Sequence, residues 1–320
     1  MAKANIVQAI NMALKEEMER DRDVVVLGED VGRDGGVFRV TEGLLERFGP
    51  ERVMDTPLSE LGIVGAAIGM AAYGLKPVAE IQFMGFIYSA IEQVFSHASR
   101  IRARSRGRFS CPLVVRTPYG IGIKAPELHS ESTEALFCHM PGVKVVVPST
   151  PHNAKGLLKS AVRDPDPVIF LEPSRLYRSV KAELPETEYT IPLGKAEIYQ
   201  EGRELTVVAW GTMLHRASEA AEGFDCEIID LMTLKPFDEE AVINSVKKTG
   251  RLVIVQEATR YCSLSSEIAA LAAEEAVTYL KAPIIRVAGP DAVTPMARLE
   301  DEYMPSKERI KRAFETVMEY

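Results

Sequence analysis

Glu60 is the first residue whose type and position suggest chemistry, in the segment Asp55-Thr-Pro-Leu-Ser-Glu-Leu-Gly. Pro57 suits the first turn of a helix, and an acidic side chain there complements the helix dipole. Small residues follow, including Gly62 and Gly65, so another backbone could approach this helix closely. A carboxylate that loses water in such packing is suited to proton transfer. A glutamate that only caps the helix is the alternative.

His129 is the second candidate, on a glycine-bearing loop after a strand predicted at Leu113–Arg116. Ligands of open α/β sheets bind beyond the carboxyl ends of strands, so a histidine there is well placed for acid-base chemistry. An exposed loop histidine without a role is the alternative. Other histidines nearby in the sequence show no metal-ligand spacing relative to it.

Two further positions could line a site. Phe86 lies in Gln82-Phe-Met-Gly-Phe-Ile-Tyr, where aromatic residues at 83, 86 and 88 cannot all share one face. Core packing is the alternative for Phe86. Glu29 comes just after a short apolar run that reads as a buried strand, and it either lines a site or closes a turn.

A phosphate-binding glycine fingerprint, a Walker A sequence and a Gly-x-Ser-x-Gly elbow are all absent from the sequence.

A sheet is needed to bring these residues together. Strand and helix patterns alternate twice along the chain, which predicts an α/β fold with mostly parallel sheets covered by helices. The charged, proline-bearing segment 181–194 predicts a linker between a domain of residues 1–180 and a smaller one of residues 195–320. The predicted strands are Val24–Leu27, Val78–Gln82, Leu113–Arg116, Val143–Val147, Val168–Leu171, Leu205–Trp210, Glu227–Leu231, Leu252–Gln256 and Ile284–Val287. The predicted helices after the first are Pro57–Tyr73, Ile87–Ala103, His152–Arg163, Met213–Glu222, Asp238–Lys247 and Ser263–Tyr279.

Composition narrows the class of protein. The chain has 320 residues with a net charge of −8, so a nucleic-acid partner is not expected. Its first residues show helical spacing and no signal-peptide core, and no apolar run is long enough for a bilayer. None of the four cysteines forms a CxxC pair, which is typical of reduced thiols inside a cell. We expect a cytoplasmic protein without membrane contact.

Together these segments resemble the beta subunit of the 2-oxoacid dehydrogenase decarboxylase component, a family that includes the pyruvate, branched-chain 2-oxoacid and acetoin enzymes. The resemblance spans nearly the whole chain in the family's order. The matching stretches are VVVLGEDVGRDGGVFRVTEGL, RVMDTPLSELGIVGAAIGMA, GLKPVAEIQF, LHSES, PGVKVVVPSTPHNAKGLLKSAVRDPDPVIFLEP, TVVAWGT, KKTGRLVIVQEA and APIIRVAGPD.

The resemblance implies a transketolase-like pyrimidine domain, a smaller transketolase C-terminal-like domain, and thiamine diphosphate as cofactor. Glu60 matches the glutamate that hydrogen-bonds a ring nitrogen of the cofactor's aminopyrimidine, and Phe86 matches the aromatic residue that stacks on that ring. His129 matches the histidine that faces the substrate. Glu29 matches an acid on the path between the two cofactors of the assembled enzyme.

A structural potassium ion is a further implication of the resemblance. Some members hold one largely through main-chain oxygens, at positions matched by Leu113, Ala161, Val162, Asp164 and Asp166.

The resemblance also implies partners. The Gly-Asp-Gly segment that holds magnesium and diphosphate in thiamine diphosphate enzymes does not occur in this chain. In this family it belongs to the alpha subunit, so an α2β2 heterotetramer is implied, with a 2-oxoacid as substrate and a lipoyl acyltransferase core as acyl acceptor. Acetoin cleavage, a split transketolase-type activity and a non-catalytic assembly subunit are the alternatives.

Overall fold

The computed structural model describes residues 3–320, and its strands alternate with helices for most of that length. The strands are β1 (Lys3–Asn5), β2 (Val24–Gly28), β3 (Val53–Asp55), β4 (Lys76–Glu80), β5 (Val114–Tyr119), β6 (Lys144–Val146), β7 (Val168–Pro173), β8 (Lys181–Glu183), β9 (Glu197–Gln200), β10 (Leu205–Ala209), β11 (Cys226–Asp230), β12 (Thr233–Lys235), β13 (Leu252–Thr259) and β14 (Ile285–Gly289).

The α-helices cover both sheets and their edges. They are α1 (Ile6–Arg20), α2 (Leu44–Phe48), α3 (Glu60–Ala72), α4 (Ile101–Arg104), α5 (Glu134–His139), α6 (Pro151–Arg163), α7 (Thr212–Ala220), α8 (Glu239–Thr249), α9 (Leu264–Ala276), α10 (Glu300–Tyr303) and α11 (Lys307–Met318). No helix between residues 3 and 320 is long and apolar enough to cross a membrane.

Two sheets organise the chain. The first has seven strands in the order β12-β6-β7-β5-β4-β2-β3, and the second has five in the order β14-β13-β10-β11-β9. Pairing is parallel except at one edge of each sheet, where β12 and β9 run antiparallel to their neighbours. The predicted α/β class with mostly parallel sheets is confirmed.

The two sheets share a hydrophobic core. One cluster of buried side chains includes Val115 and Leu171 from the first sheet together with Trp210 and Ile254 from the second. Helices α1 and α6 cover the opposite face of the first sheet, and α7 and α11 cover the opposite face of the second. Since apolar burial is the main source of folding free energy, the halves of the chain stabilise each other.

Two strand pairings near the domain boundary were not predicted from the sequence. The predicted linker 181–194 contains β8, which pairs antiparallel with β1. Strand β12, from the second half of the chain, adds to the first sheet beside β6. The β1–β8 pairing fastens the linker to the first domain, and the β12–β6 pairing joins the two halves of the chain through the backbone.

Two helix predictions need correction. Helix α3 begins at Glu60 rather than at Pro57, because the Ser59 hydroxyl accepts the backbone N–H of Gly62 and caps the helix there. The segment predicted as a helix over 87–103 is helical but irregular, with 3₁₀ turns over Met84–Ala90, a π-turn over Gln93–His97 and only one turn of α-helix after it.

A buried ion cluster joins three central strands of the first sheet. Arg116 on β5 is 1% exposed, and its Nε and Nη2 atoms donate to the two carboxylate oxygens of Glu172 on β7, both at 2.7 Å. The same guanidinium pairs with Glu80 on β4, and the Tyr177 hydroxyl donates to Glu172 at 2.6 Å. Burial opposes the charge on Arg116, but Glu172 and Glu80 raise the pKa of its guanidinium. One cation therefore compensates two buried carboxyls.

Replacing Arg116 tests this compensation. Arg116→Met leaves two buried carboxyls without a cation, so we expect the free energy of unfolding to fall by about 3–5 kcal/mol. Urea unfolding of the purified protein measures it. Lys76→Met is the control, since the 2.8 Å pair of Lys76 with Asp21 is partly exposed and should contribute about 0–1 kcal/mol. Equal losses from both variants would contradict the assignment.

Candidate active site

Four neighbouring strands of the first sheet each lead to one of the predicted site residues. In the spatial order β5, β4, β2, β3, the chain after these strands carries His129, Phe86, Glu29 and Glu60. The four strands are parallel, so their carboxyl ends lie at one edge of the sheet. The structure therefore brings all four residues to the same edge, where α/β proteins bind ligands.

Glu29 is the buried carboxyl of this edge. It is 8% exposed, and its Oε1 atom has no hydrogen-bond partner among the described residues. Burial raises the pKa of Glu29, and the nearby carboxylates of Glu60 and Asp30 raise it further, while the backbone N–H of Ser59 partly offsets them. A carboxyl with a raised pKa and a free oxygen is available to a bound group.

Glu60 is more accessible than its surrounding sequence predicted. It is only partly buried, and the small residues that follow it in α3 leave much of that helix face uncovered. The Ser89 hydroxyl lies 3.4 Å from its Oε2 atom and 3.2 Å from the Phe86 carbonyl, to either of which it can donate. The predicted desolvation of Glu60 is therefore not produced by this chain alone.

An aromatic cluster surrounds His129. The imidazole centroid lies 4.3 Å from the ring of Phe83 and 5.0 Å from that of Phe86, and the two phenyl rings meet edge to face at 5.5 Å. Tyr88 is directed elsewhere, toward Glu131. The Nδ1 atom of His129 is buried and has no hydrogen-bond partner among residues 3–320. Packing thus sets the ring's position, and no described residue fixes it through a hydrogen bond to Nδ1.

Gly85 allows the close approach on which this cluster depends. A Cβ atom at Gly85 would lie 2.5 Å from the carbonyl oxygen of Leu128, the residue before His129. Only glycine lets the two segments meet at this distance. Gly85 and Ser89 were not predicted from the sequence, because Gly85 acts through the distant loop that carries His129 and Ser89 through Glu60 on α3.

The five positions matched to a potassium site lie around the end of α6 and the starts of β5 and β7. The carbonyls of Leu113 and Ala161 accept the N–H groups of Val168 at 2.9 Å and of Asp164 at 3.2 Å. The Asp164 carboxylate accepts from Lys144, and that of Asp166 from Arg102. The carboxylates thus have cationic partners, and main-chain oxygens with a second lone pair are what the region offers an ion.

Comparison with known proteins agrees with this geometry. Residues 2–180 match the family described as transketolase, pyrimidine binding domain, and residues 194–310 match transketolase, C-terminal domain. A solved structure named split gene transketolase, inactive beta4 tetramer, superposes with a TM-score of 0.80 at 24% identity and covers 98% of each chain. At that identity the likeness shows the fold.

Sequence relatives specify the family. The pyruvate dehydrogenase E1 component subunit beta of Acholeplasma laidlawii is 50% identical over 315 residues, which cover 97% of this chain and 96% of the relative. The 2-oxoisovalerate dehydrogenase subunit beta of Bacillus subtilis is 48% identical over 327 residues and the full length of both chains. With all four site residues at one edge of a transketolase-type sheet, the chain belongs to the beta subunits of the 2-oxoacid dehydrogenase decarboxylase component.

Proposed function

We propose that this chain supplies the pyrimidine side of a thiamine diphosphate site that decarboxylates a 2-oxoacid, with Glu60 as the residue that exchanges a proton with the cofactor. One observation carries the proposal: Glu29, Glu60, Phe86 and His129 follow four adjacent parallel strands and lie at one edge of the sheet. The transketolase pyrimidine-binding family implies the same cofactor.

The residues present fit an aminopyrimidine. Among residues 3–320 the Ser89 hydroxyl is the one side-chain donor to Glu60, so its carboxyl can accept or share a proton with a ring nitrogen. The partly buried ring of Phe86 offers a face for stacking. When bound, thiamine diphosphate supplies the carbon nucleophile that adds to the keto group and takes up the electrons left by carbon dioxide.

The two carboxyls act as a pair. Burial raises the pKa of Glu29, and the negative charges of Glu60 and Asp30 raise it further, so this carboxyl holds a proton close to the pyrimidine edge more readily than an ordinary glutamate does. Two neighbouring carboxyls that share a proton are a common device for acid-base work. Glu60 would exchange the proton with the cofactor while Glu29 stabilises it in the buried part of the site.

His129 would act on the substrate side. Its ring is held by Phe83 and Phe86 and is only partly buried, so the imidazole can donate to or accept from a carboxylate or carbonyl oxygen. The surrounding rings exclude water, which strengthens such a hydrogen bond. The imidazole would therefore orient the 2-oxoacid and the acyl group that remains after decarboxylation.

An alpha subunit would complete the site. Exposed apolar side chains lie at both ends of α3, with Leu58 80% exposed just before the helix and Tyr73 91% exposed just after it, and the small residues Gly62 and Ala66 are exposed between them. An uncovered apolar face of this kind is typical of a protein interface. The beta-subunit family implies an alpha partner in a heterotetramer, and magnesium and the diphosphate would be held mainly by that partner.

Pyruvate and branched-chain 2-oxoacids are both candidate substrates. The relatives at 50% and 48% identity are named for pyruvate and for 2-oxoisovalerate, respectively. We propose that the acyl group passes to a lipoyl acyltransferase core. A panel of 2-oxoacids and acetoin, assayed with the co-purified alpha subunit and a lipoyl acceptor, identifies the substrate and separates these reactions from a transketolase-type transfer.

Replacing Glu60 tests the proton-transfer role. In the reconstituted complex Glu60→Gln should lose more than about tenfold in turnover, because general acid-base residues contribute at least that much. Glu46→Gln, at an exposed position on α2, is the matched control and should retain turnover. Near-normal activity of Glu60→Gln would remove the role.

Binding by the separate chain tests the shared site. If the alpha subunit provides the diphosphate side, the purified single chain should bind thiamine diphosphate poorly in calorimetric titrations with magnesium present. Adding the alpha subunit should restore binding. Tight magnesium-dependent binding by this chain alone would show that it holds a complete site.

A structural potassium ion remains a proposal, supported by the main-chain oxygens near Leu113 and Ala161. If they bind potassium, the melting temperature should be higher in potassium chloride than in sodium chloride of equal ionic strength, since a ligand that binds only the folded state stabilises it. Differential scanning calorimetry measures the shift. Identical melting temperatures in the two salts would rule out a stabilising potassium site.

A further inference from the structure

The loop that carries His129 contacts the second sheet as well as the first. We define the His129 loop as residues 120–133, between β5 and α5. A hydrogen bond joins the two ends of the loop, in which the backbone N–H of Gly120 donates to the Glu131 carbonyl at 2.9 Å. Its first residues lie against Glu257, on the eight-residue strand β13 of the second sheet. The catalytic edge of one sheet therefore depends on a side chain of the other.

Glu257 contacts both ends of the His129 loop. Its Oε1 atom accepts the backbone N–H of Ile121 at 2.6 Å. The hydroxyl of Ser132, at the opposite end of the loop, lies against the same carboxyl. A single carboxyl thereby holds together two segments that flank the histidine.

The start of the His129 loop packs tightly against Glu257. Gly120 has a φ of +77°, and a Cβ atom there would lie 2.5 Å from the Glu257 Oε1 atom. The side chain of Ile121 is buried in the second sheet's core, beside Val255 and Met213. The start of the loop is thus set by the second sheet through a hydrogen bond and a buried side chain.

A second carboxyl from the same half of the chain contacts the loop. The backbone N–H of Lys124 faces the carboxyl of Glu300, which is buried at the start of α10. Lys124 has a φ of +57°, in the left-handed region that is unfavourable for lysine. A strained conformation of this kind persists only where the surroundings hold it.

Glu257 is uncharged over much of the neutral range. It is 3% exposed, and burial raises the pKa of its carboxyl to about 8, with a further rise from Glu134 and opposing effects from the Ile121 N–H, Arg175 and Ser132. The other ionisable side chains that act on this group are Tyr119, Arg216 and Tyr303. A neutral carboxyl can accept from Ile121 and donate elsewhere, as a glutamine amide can.

We propose that Glu257 is a positioning residue for the reaction, which holds both ends of the His129 loop and thereby sets the imidazole against the substrate. The proposal rests on the proposed function of His129. It assigns the second domain an indirect part in catalysis, since the carboxyl that orders the loop comes from β13.

A double-mutant cycle tests the proposal in the reconstituted complex, with kcat/KM for the 2-oxoacid as the readout. Glu257→Ala should lower kcat/KM by at least about tenfold, a typical effect of misplacing a catalytic group. Combined with His129→Ala it should cause little further loss beyond His129→Ala alone, because residues that act through one another are not additive. Glu257→Gln should restore activity to within about threefold of the wild type, since the amide can make the same contacts.

Asp230 provides a matched control. It is fully buried at the end of β11, accepts the Ser149 hydroxyl at 2.8 Å, and has its pKa raised by burial to about 7, yet it does not contact the His129 loop. Asp230→Ala should therefore show additive losses with His129→Ala. Additive losses for Glu257→Ala as well would reduce Glu257 to a stabilising residue and overturn the proposal.

Two further variants distinguish failure of the positioning role of Glu257 from failure of the proposed function of His129. Glu257→Asp retains a buried acid but withdraws the carboxyl from Ile121, so it should lose activity in a His129-dependent way even if Glu257→Ala does not assemble. His129→Ala on its own tests the proposed function. If it leaves kcat/KM unchanged, the role of His129 fails; if it is impaired while the Glu257 variants are additive with it, only the positioning role fails.

Discussion

Parallel pairing of four neighbouring strands is the constraint on which the site depends. Because β5, β4, β2 and β3 run in one direction, their carboxyl ends lie at a common edge, and the residues that follow them meet although up to a hundred positions separate them in sequence. Burial of the strands on both faces holds this register, since a shift by one residue would move their apolar side chains to the wrong side.

Charge is distributed unequally around this edge. Within the sheet, the positive charge of Arg116 pairs with the carboxyls of both Glu80 and Glu172. At the edge itself, the negative charge of Glu60 raises the pKa of Glu29, and no cation among the described residues offsets it. Carboxyls with a cationic partner are typical of a structural cluster, whereas a pair of carboxyls without one is the kind of arrangement that we propose as a ligand site.

The two halves of the chain act as one structural unit. They share a hydrophobic core, β12 extends the first sheet, and Glu257 reaches the loop that carries His129. In this arrangement the second domain supports the geometry of the first. The exposed apolar residues around α3 are consistent with the proposal that an alpha subunit covers this side of Glu60.

The sequence alone determined the alternation of strands and helices and the α/β class, and it predicted the four candidate residues that the fold brings to one edge. Hydrophobic periodicity and composition are local properties of a sequence, and the family motifs around Glu60 and His129 are contiguous. The pattern of elements and the motifs could therefore be recognised without coordinates. Short edge strands such as β12 and the irregular helical turns over Met84–Ala90 escaped prediction, because three residues or a single turn carry little periodic signal.

Tertiary structure decided the environment of each site residue. The sequence indicated a desolvated Glu60, yet in this chain Glu29 is the buried carboxyl, because water exclusion depends on what packs against a helix rather than on the helix's own residues. The same reason applies to Gly85 beneath Leu128 and to Glu257 beside Ile121. Each is a contact between distant segments, and only the folded chain brings those segments within hydrogen-bonding distance.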